Sequence, residues 1–578
     1  GTAIISSAGL LNALEVAGKK IEEVKLLKYL SLSLVACGVA LSSCDDFFDT
    51  KPYDQLSPST FWQTEDDVYS AATACYDKWN EAKNGSTDIL YADCLSDIGF
   101  NYSNTSSLKV TGNGAMTQAA TVTYYNYETI RRCNTFLENA ESVAFADEAE
   151  KKDLFAQVRT IRAYRYFHMN FWYGGVPLIT DLPQTSSEAQ VERASEETVK
   201  KFIYGELDAA ISDLKDKPSQ RGRIAKGTAL AIKMRAALYW GDLDLAMSAA
   251  RSIQNLNQYE LDPNFQEMFS IKGQGSKEII YAMQHVSNTY AFSNMIRMFN
   301  NQDGGWASMV PTQNLVDMYE MKSGLRPEEE GSGYDPVHPF ANRDPRLALT
   351  ILYPGMDWVG SDGKQRVINT LDKSIDGSLN ADYMDAADNS SRTGMIWAKY
   401  TVPLSQYSAS LGNENTCPIL FRYAEVLLTI AEINVEKNEN TTEVYDILDQ
   451  LRARCGHVAV DRAKYNTQEK LRELVRRERC IEMAGEGLRR ADLLRWKDQN
   501  GKMLAETLMN GTLYRMIGTV NVNEPDRDLR ATISAPTAEN ESLRKIEDRV
   551  FRPYNRYLPF PQAELDKNPN LKQNEGYE

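Results

Sequence analysis

Apolar residues recur at helical spacing between residues 128 and 255. Leu154, Val158 and Ile161 are four and three residues apart, which places them on one face of a helix. Two further series, separated by the Gly-Asp pair at 241–242, are Leu230, Met234, Ala237 and Leu238, then Leu245, Ala249 and Ile253. Two antiparallel helices joined by a short turn form the unit of a tetratricopeptide-like array. The pattern therefore predicts paired helices here.

The same pattern returns after residue 416. Apolar positions on either side of a polar turn at 437–442 are Leu420, Ala424, Leu427, Leu428 and Ala431, then Val444, Ile447, Leu448 and Leu451. A further helix is indicated by Leu471, Leu474, Val475 and Ile481. We expect a mostly α fold built on a tetratricopeptide-like helical repeat scaffold.

Between residues 256 and 415 the periodicity fades. Gly, Asn, Asp, Ser and Pro cluster at 300–305, 328–339 and 376–393, which predicts long loops. Long ordered loops in a compact protein usually carry its function. We therefore expect a loop-rich ligand-binding portion held by the helical scaffold.

The first 44 residues have the order of an export signal. Lys25 and Lys28 precede an apolar run from Leu30 to Leu41, which is shorter than the ~20 residues of a membrane-spanning helix. The run leads into Leu-Ser-Ser-Cys, which resembles a bacterial lipobox. We predict that residues 1–43 are an upstream segment and signal peptide, and that Cys44 is lipidated and anchors the chain.

Composition narrows the classes of function. The formal net charge is −16, which argues against a nucleic-acid partner. The chain has 30 Tyr, 18 Phe and 8 Trp beside four His, so it is better equipped to hold a ligand than to perform proton or metal chemistry. The histidines show no metal-binding spacing, and no G-x-S-x-G motif occurs. We expect neither a metal site nor a cofactor.

Cysteine spacing gives no motif. Beyond Cys37 and Cys44, the remaining cysteines are Cys75, Cys94, Cys133, Cys417, Cys455 and Cys480. None forms a C-x-x-C pair, so neither a zinc ribbon nor a redox motif is supported. One or two disulfides are compatible with an exported protein, but we expect buried thiols.

Two motifs have competing interpretations. Glu478, Glu482 and Glu486 stack on one helix face, as an acid–base pair of a glycosidase would, but neighbouring arginines favour a structural ion-pair network. The segment "GRIAKGT" at 222–228 lacks the lysine of a phosphate-binding loop, because Thr228 stands in its place. We interpret it as the start of a helix.

Aromatic residues fall into two groups. Those at helical spacing, such as Tyr164 and Trp240, are expected to pack the scaffold. Those in polar loops are candidates to stack against sugar rings, with Asp97 and Asn101 as adjacent hydrogen-bonding residues. The loop candidates are Phe100, Tyr102, Tyr290, Phe292 and Trp306.

Six segments in order resemble the SusD/RagB family of surface lipoproteins. They are "CDDFFDTKPYDQLSPSTF" (44–61), "RTIRAYRYFHMNFWYGGVPLIT" (159–180), "GRIAKGTALAIKMRAALYWGD" (222–242), "FRYAEVLLTIAEI" (421–433), "RRERCIEMAGEGLRRADLLRW" (476–496) and "NRYLPFPQAELDKNPNLKQNEGY" (555–577). The resemblance implies a face of four helix pairs that packs against a SusC-like TonB-dependent outer-membrane transporter, and a loop-rich remainder that carries the ligand. It also implies that the protein is not an enzyme. The family's glycan site is similarly built from loop aromatics, here the segment 290–306 ahead of "PTQNLVDMY".

The resemblance divides the chain after its signal into three parts. Residues 44–255 are the N-terminal SusD-like helical part, 256–415 the loop-rich ligand-binding part and 416–578 the C-terminal SusD/RagB helical part. It implies a glycan-binding lipoprotein, lipid-anchored to the outer membrane and facing the exterior, that passes oligosaccharides to its transporter as a hinged lid. The acidic Asp45 and Asp46 resemble a surface-display signal. A peptide-binding RagB-like lid and a surface glycoside hydrolase remain as alternatives.

Overall fold

The computed structural model describes residues 61–80, 88–103, 106–360, 362–386, 389–401, 410–534 and 543–577. The predicted signal peptide and the lipidation of Cys44 fall outside these residues. Residues 64–578 belong to one compact unit. In the described part of the chain, no helix is both long and apolar enough to cross a membrane.

Helices account for most of the regular structure. They are α1 (Glu65–Cys75), α2 (Asp88–Tyr91), α3 (Ser107–Gly112), α4 (Glu128–Asn139), α5 (Glu148–Tyr173), α6 (Glu196–Asp213), α7 (Lys226–Trp240), α8 (Leu243–Asn255), α9 (Phe265–Met268), α10 (Gln313–Met318), α11 (Arg346–Thr350), α12 (Tyr423–Lys437), α13 (Thr441–Ala453), α14 (Gln468–Met483), α15 (Arg489–Arg495), α16 (Ala505–Leu508) and α17 (Gln562–Lys567). The mostly α fold is as predicted.

The strands are short and pair in twos. They are β1 (Gly99–Asn101), β2 (Ile279–Ala282), β3 (Met309–Pro311), β4 (Ile351–Leu352), β5 (Asp357–Val359), β6 (Gln365–Val367), β7 (Ser374–Ile375), β8 (Ser378–Leu379), β9 (Ile396–Trp397), β10 (Ile419–Arg422), β11 (Gly511–Met516), β12 (Gly518–Val520), β13 (Ala531–Ile533) and β14 (Leu543–Arg549). The antiparallel pairs are β1–β3, β2–β10, β4–β9, β5–β6, β7–β8, β11–β14 and β12–β13. Strands β10 to β14 lie within residues 416–578, a part for which the sequence indicated helices alone.

The helix pairs form one continuous array. Helix α5 packs against α6, α7 against α8, and α12 against both α13 and α14, while α8 packs against α12. Ala237 and Leu238 of α7 share an apolar cluster with Ala246 of α8 and Ile433 of α12. The two helical parts of the sequence therefore pack against each other, although the loop-rich segment separates them along the chain.

Local sequence sets the helix ends. Asp147 caps α5 by accepting a hydrogen bond from the backbone N–H of Ala149 at 2.8 Å. Gly241 has φ of +79° and ends α7 in the left-handed region that favours glycine. Helix α7 begins at Lys226, within the segment that lacks a phosphate-binding lysine, so the helix-start interpretation is confirmed.

One predicted helical position is wrong. Leu420 lies in β10, and α12 begins only at Tyr423. Strand β10 pairs with β2, and Arg422 keeps an extended backbone immediately before the helix. The helical spacing of Leu420 in the sequence is outweighed by pairing with a strand that lies about 140 residues earlier in the chain.

Candidate ligand-binding site

Strands β1 and β3 bring two distant loops together. Phe100 lies opposite Val310 and Asn101 opposite Met309 in an antiparallel pair. The residues that follow β1 therefore lie beside those that precede β3, as antiparallel pairing requires. This places Tyr102 near Trp306.

The loop before β3 is fixed by backbone hydrogen bonds. The N–H of Trp306 donates to the carbonyl of Ile296 at 2.6 Å, and the N–H of Ser308 donates to the carbonyl of Arg297 at 2.9 Å. These bonds fasten the extended segment to the preceding turn. Trp306 thus presents its indole from a defined backbone, next to the Arg297 side chain.

Gly305 allows this close approach. A Cβ atom at this position would lie 2.2 Å from the carbonyl oxygen of Phe299, so no side chain fits there without a shift of the backbone. Ala307 has φ of +41°, an uncommon value for a residue with a side chain. The loop therefore holds Trp306 in a conformation that the surrounding structure enforces.

A cavity of about 670 Å³ lies between the two loops. It is lined by Asn101, Tyr102, Ser103, Ser106, Ser107, Leu108, Arg297, Trp306, Ser308 and Asn389. We call it the Trp306 cavity. Its volume falls within the roughly 300–1,000 Å³ of typical ligand sites. The Trp306 side chain is 38% exposed there, which is high for a tryptophan in a folded protein.

Polar groups surround the aromatic rings of this cavity. The hydroxyl of Tyr102 donates to Oδ1 of Asn389 at 3.3 Å. The guanidinium of Arg297 lies 5.6 Å from the centre of the Trp306 ring, and that of Arg392 lies 5.4 Å from the centre of the Tyr102 ring. The cavity therefore combines flat apolar faces with hydrogen-bond donors and acceptors, a combination suited to sugar rings.

Asn101 lines the Trp306 cavity, but its side chain mainly stabilises its own loop. It is 2% exposed, and its Oδ1 accepts a hydrogen bond from the backbone N–H of Ser103 at 3.0 Å. This bond shapes the turn that presents Tyr102.

Asp97 and Phe100 lie beneath the cavity instead of lining it. Asp97 is 2% exposed, and both of its carboxylate oxygens accept hydrogen bonds from Arg489, at 2.8 and 2.9 Å. Phe100 is also buried and packs with Val310 and Leu513. Their burial gives these two candidates a supporting place under the site, with no surface for a ligand.

Tyr290 belongs to a second cavity, of about 450 Å³. Its ring lies parallel to that of His285, with 5.2 Å between the ring centres. Burial lowers the pKa of His285 to about 4, although a hydrogen bond with the carbonyl of Tyr290 opposes the shift. Phe292 is 1% exposed and joins Glu414 by backbone hydrogen bonds, so it packs in the core.

Several residues of the Trp306 cavity escaped prediction from the sequence. Arg297 follows Met295 and Ile296, and Asn389 lies in a polar stretch about eighty residues beyond Ser308. Neither position carries a local motif. Only the folding of three separate loops onto one another brings them to Trp306.

The three stacked glutamates are structural. Arg346 binds Glu478 at 2.6 Å, and Arg422 binds both Glu482 and Glu486 at 2.7 Å. Burial alone would raise the pKa of Glu482, but the guanidinium groups of Arg454 and Arg422 outweigh it and lower the pKa to about 2. A general acid needs a raised pKa and access to substrate. The ion-pair interpretation is therefore confirmed, but the partner arginines are distant in the sequence, since the neighbouring Arg489 binds Asp97 instead.

The described cysteines are free thiols and most are buried, as expected. Five of the six described cysteines are buried, Cys455 is half-buried, and all six are free. Burial raises the pKa of Cys94 and Cys480 to about 12. Within the described residues, no group of three or more His, Cys, Asp or Glu side chains could hold a metal ion.

Comparison with known proteins decides the family. A family model described as "SusD family" matches residues 277–577, and one described as "Starch-binding associating with outer membrane" matches residues 46–238. The first match covers more than half of the chain. This chain belongs to the SusD family. The resemblance carried by the six sequence segments is confirmed.

Individual proteins and solved structures match most of the chain. The SusD-like protein P25 of Formosa agariphila is 24% identical, and the match covers 93% of this chain and 97% of the relative. A crystal structure described as a SusD-like carbohydrate binding protein from Bacteroides fragilis is 26% identical with a TM-score of 0.75, covering 89% of this chain and all of that one. A surface glycan-binding protein A from Bacteroides uniformis, 19% identical, shares the fold with a TM-score of 0.64 over 88% of this chain and 99% of that one.

Proposed function

We propose that this SusD-family protein binds oligosaccharides in the Trp306 cavity. The single observation that carries the proposal is the exposed Trp306 ring, which faces Tyr102 across a cavity lined with hydroxyl, amide and guanidinium groups. A sugar ring presents C–H groups that lie flat on an indole, while its hydroxyls form hydrogen bonds at the edges. The carbohydrate-binding description of the Bacteroides fragilis relative supports this ligand class.

We further propose that the protein is lipid-anchored through Cys44 to the outer membrane, facing the exterior, and works as a hinged lid over a SusC-like TonB-dependent transporter. The lipobox-like segment and the family model described as associating with the outer membrane support this placement. The continuous helical array would provide the surface for the transporter. Ligand contacts to both lid and transporter would shift the population toward the closed state and deliver the sugar.

The buried network around Glu478, Glu482 and Glu486 supports binding without catalysis. These carboxylates are bound by arginines and shielded from solvent, so they offer a substrate neither a proton nor a nucleophile. A reducing-sugar assay on soluble polysaccharides should therefore show no release above buffer. Release that disappears in a Glu482→Gln variant would contradict this reasoning.

Affinity electrophoresis in gels that contain soluble polysaccharides tests the binding proposal. At least one polysaccharide should retard the wild-type protein, and Trp306→Ala should lose about tenfold or more in affinity. This loss combines the stacking contribution of about 0.5–1.5 kcal/mol with coverage of the exposed ring at about 25 cal/mol per Å².

Phe100→Ala is the matched control. Phe100 lies in the core beneath the cavity, so its truncation should lower the free energy of unfolding by about 3–5 kcal/mol. Trp306→Ala should leave stability nearly unchanged because much of its ring faces solvent. If no polysaccharide retards the wild type while a peptide library binds with the same dependence on Trp306, the ligand is a peptide and the sugar proposal is wrong.

A further inference from the structure

The Trp306 cavity contains a cation, Arg297, that no carboxylate of the described residues neutralises. Within the described residues, the Arg297 side chain forms no ion pair or hydrogen bond, and its guanidinium rests over the Trp306 ring at 5.6 Å. Other arginines of this chain, such as Arg422 and Arg489, bind carboxylates directly. Arg297 is therefore held beside the cavity with its hydrogen-bond donors available.

The charge of the described lining is one-sided. Among its ten side chains, Arg297 is the one charged group, and neither Asp nor Glu is present. The whole chain carries 80 acidic against 64 basic residues, so an acidic lining would be the more frequent outcome. A neutral sugar does not require a charged partner. An anionic ligand is favoured by the Arg297 guanidinium, because opposite charges at close range in a partly desolvated site attract each other.

Further cations lie behind the Tyr102 ring. The ammonium of Lys109 lies 3.5 Å from the carbonyl oxygen of Tyr102, and Arg392 stacks over the ring. Both cations belong to the polar surroundings of the Tyr102 ring.

We infer that the Trp306 cavity selects oligosaccharides that carry anionic groups, as uronate carboxylates or sulfate esters, and that Arg297 binds the anion while Trp306 holds the sugar face. A planar guanidinium matches the two oxygens of either group bidentately. Its position over the indole sets the anion at the edge of the stacked sugar ring. This inference rests on the proposed function and adds the chemical class of the ligand.

Paired ligands that differ only in charge test the inference. Isothermal titration calorimetry would compare oligogalacturonate with its methyl ester, and sulfated with unsulfated dextran oligosaccharides, on the full-length protein. We expect one anionic member to bind at least about tenfold more tightly than its neutral counterpart. Tighter binding of oligogalacturonate would indicate a carboxylate ligand, and tighter binding of sulfated dextran would indicate a sulfate ligand. Added salt should weaken the anionic member alone.

Variants then assign the effect to Arg297. Arg297→Met should abolish the preference for the anionic member and leave binding of the neutral member within about twofold, because methionine keeps an apolar contact to the indole. Arg297→Lys should keep part of the preference, since the charge stays but the bidentate geometry is lost. The matched control is Arg462→Met, which removes an arginine stacked 5.4 Å over Tyr445 outside this cavity and should leave the preference unchanged.

The outcomes separate the two proposals. Binding of neutral oligosaccharides that depends on Trp306, with no gain for the anionic members, would overturn the charge inference and leave the proposed function standing. An anionic preference that survives in Arg297→Met would also overturn the inference. If no oligosaccharide of either charge binds, both proposals are wrong.

Discussion

The buried histidine under Tyr290 makes stability depend on pH in a predictable direction. The His285 side chain is 7% exposed and its pKa is lowered from 6.5 to about 4 by burial. Between these two values the unfolded chain binds a proton that the folded chain does not bind. The free energy of unfolding must therefore fall as pH falls from about 6.5 to about 4.

The magnitude follows from the two pKa values. At pH 5 the imidazole is almost fully protonated in the unfolded chain and almost fully neutral in the folded one. The linkage relation then gives a loss of about 2 kcal/mol between pH 7 and pH 5 from this group alone. Such a loss is a substantial share of the roughly 5–15 kcal/mol stability of a typical domain.

Urea unfolding of the wild type and His285→Gln isolates this contribution. Glutamine keeps a donor toward the Tyr290 carbonyl but cannot be protonated, so the variant should lose about 2 kcal/mol less than the wild type between pH 7 and pH 5. Other titrating groups contribute equally to both proteins and cancel. Between pH 7 and pH 8 the two proteins should change alike. If the two proteins lose equal stability between pH 7 and pH 5, the conclusion that His285 is neutral in the folded protein is wrong.

Two further predictions concern the scaffold and the loop. Glu478→Gln removes a carboxylate that Arg346 and Arg452 share and leaves their buried cluster one negative charge short. It should lower the free energy of unfolding by about 3–5 kcal/mol in urea titrations, and a loss below about 1 kcal/mol would contradict the buried network. Gly305→Ala should weaken oligosaccharide binding about tenfold in calorimetry while the far-ultraviolet circular dichroism stays unchanged, because a Cβ atom would collide with the carbonyl of Phe299 and displace the loop. Unaltered affinity in this variant would show that the loop geometry does not position the site.

Much of the scaffold could be predicted because its pattern is local. The 3.6-residue period of Leu154, Val158 and Ile161 appears within a few turns, and each of these side chains is buried in α5. The Gly-Asp turn between α7 and α8 is likewise a local signal. Leu420 escaped because its strand partner lies far away in the sequence, where no local window can detect it.

The candidate site could be predicted only in part. Aromatic residues in polar loops marked Tyr102 and Trp306, which the structure brings to one cavity. The same rule also selected Phe100 and Phe292, which lie in the core. Composition of a loop shows that an aromatic is available but does not show which way it faces.

The sequence by itself determined the family and the helical class, since both depend on motifs and spacings of a few residues. It also indicated that the stacked glutamates form ion pairs, but their partners Arg346 and Arg422 come from distant segments. Only the tertiary structure decided which aromatics reach a cavity, that Tyr290 lies in a different cavity from Trp306, and that Arg297 joins the indole without a carboxylate partner among the described residues. The physical reason is that contacts between segments far apart in the sequence form the site. Strand pairing between residues 99–101 and 309–311 creates the site, and Asn389 reaches it from a third segment. No local propensity encodes these contacts.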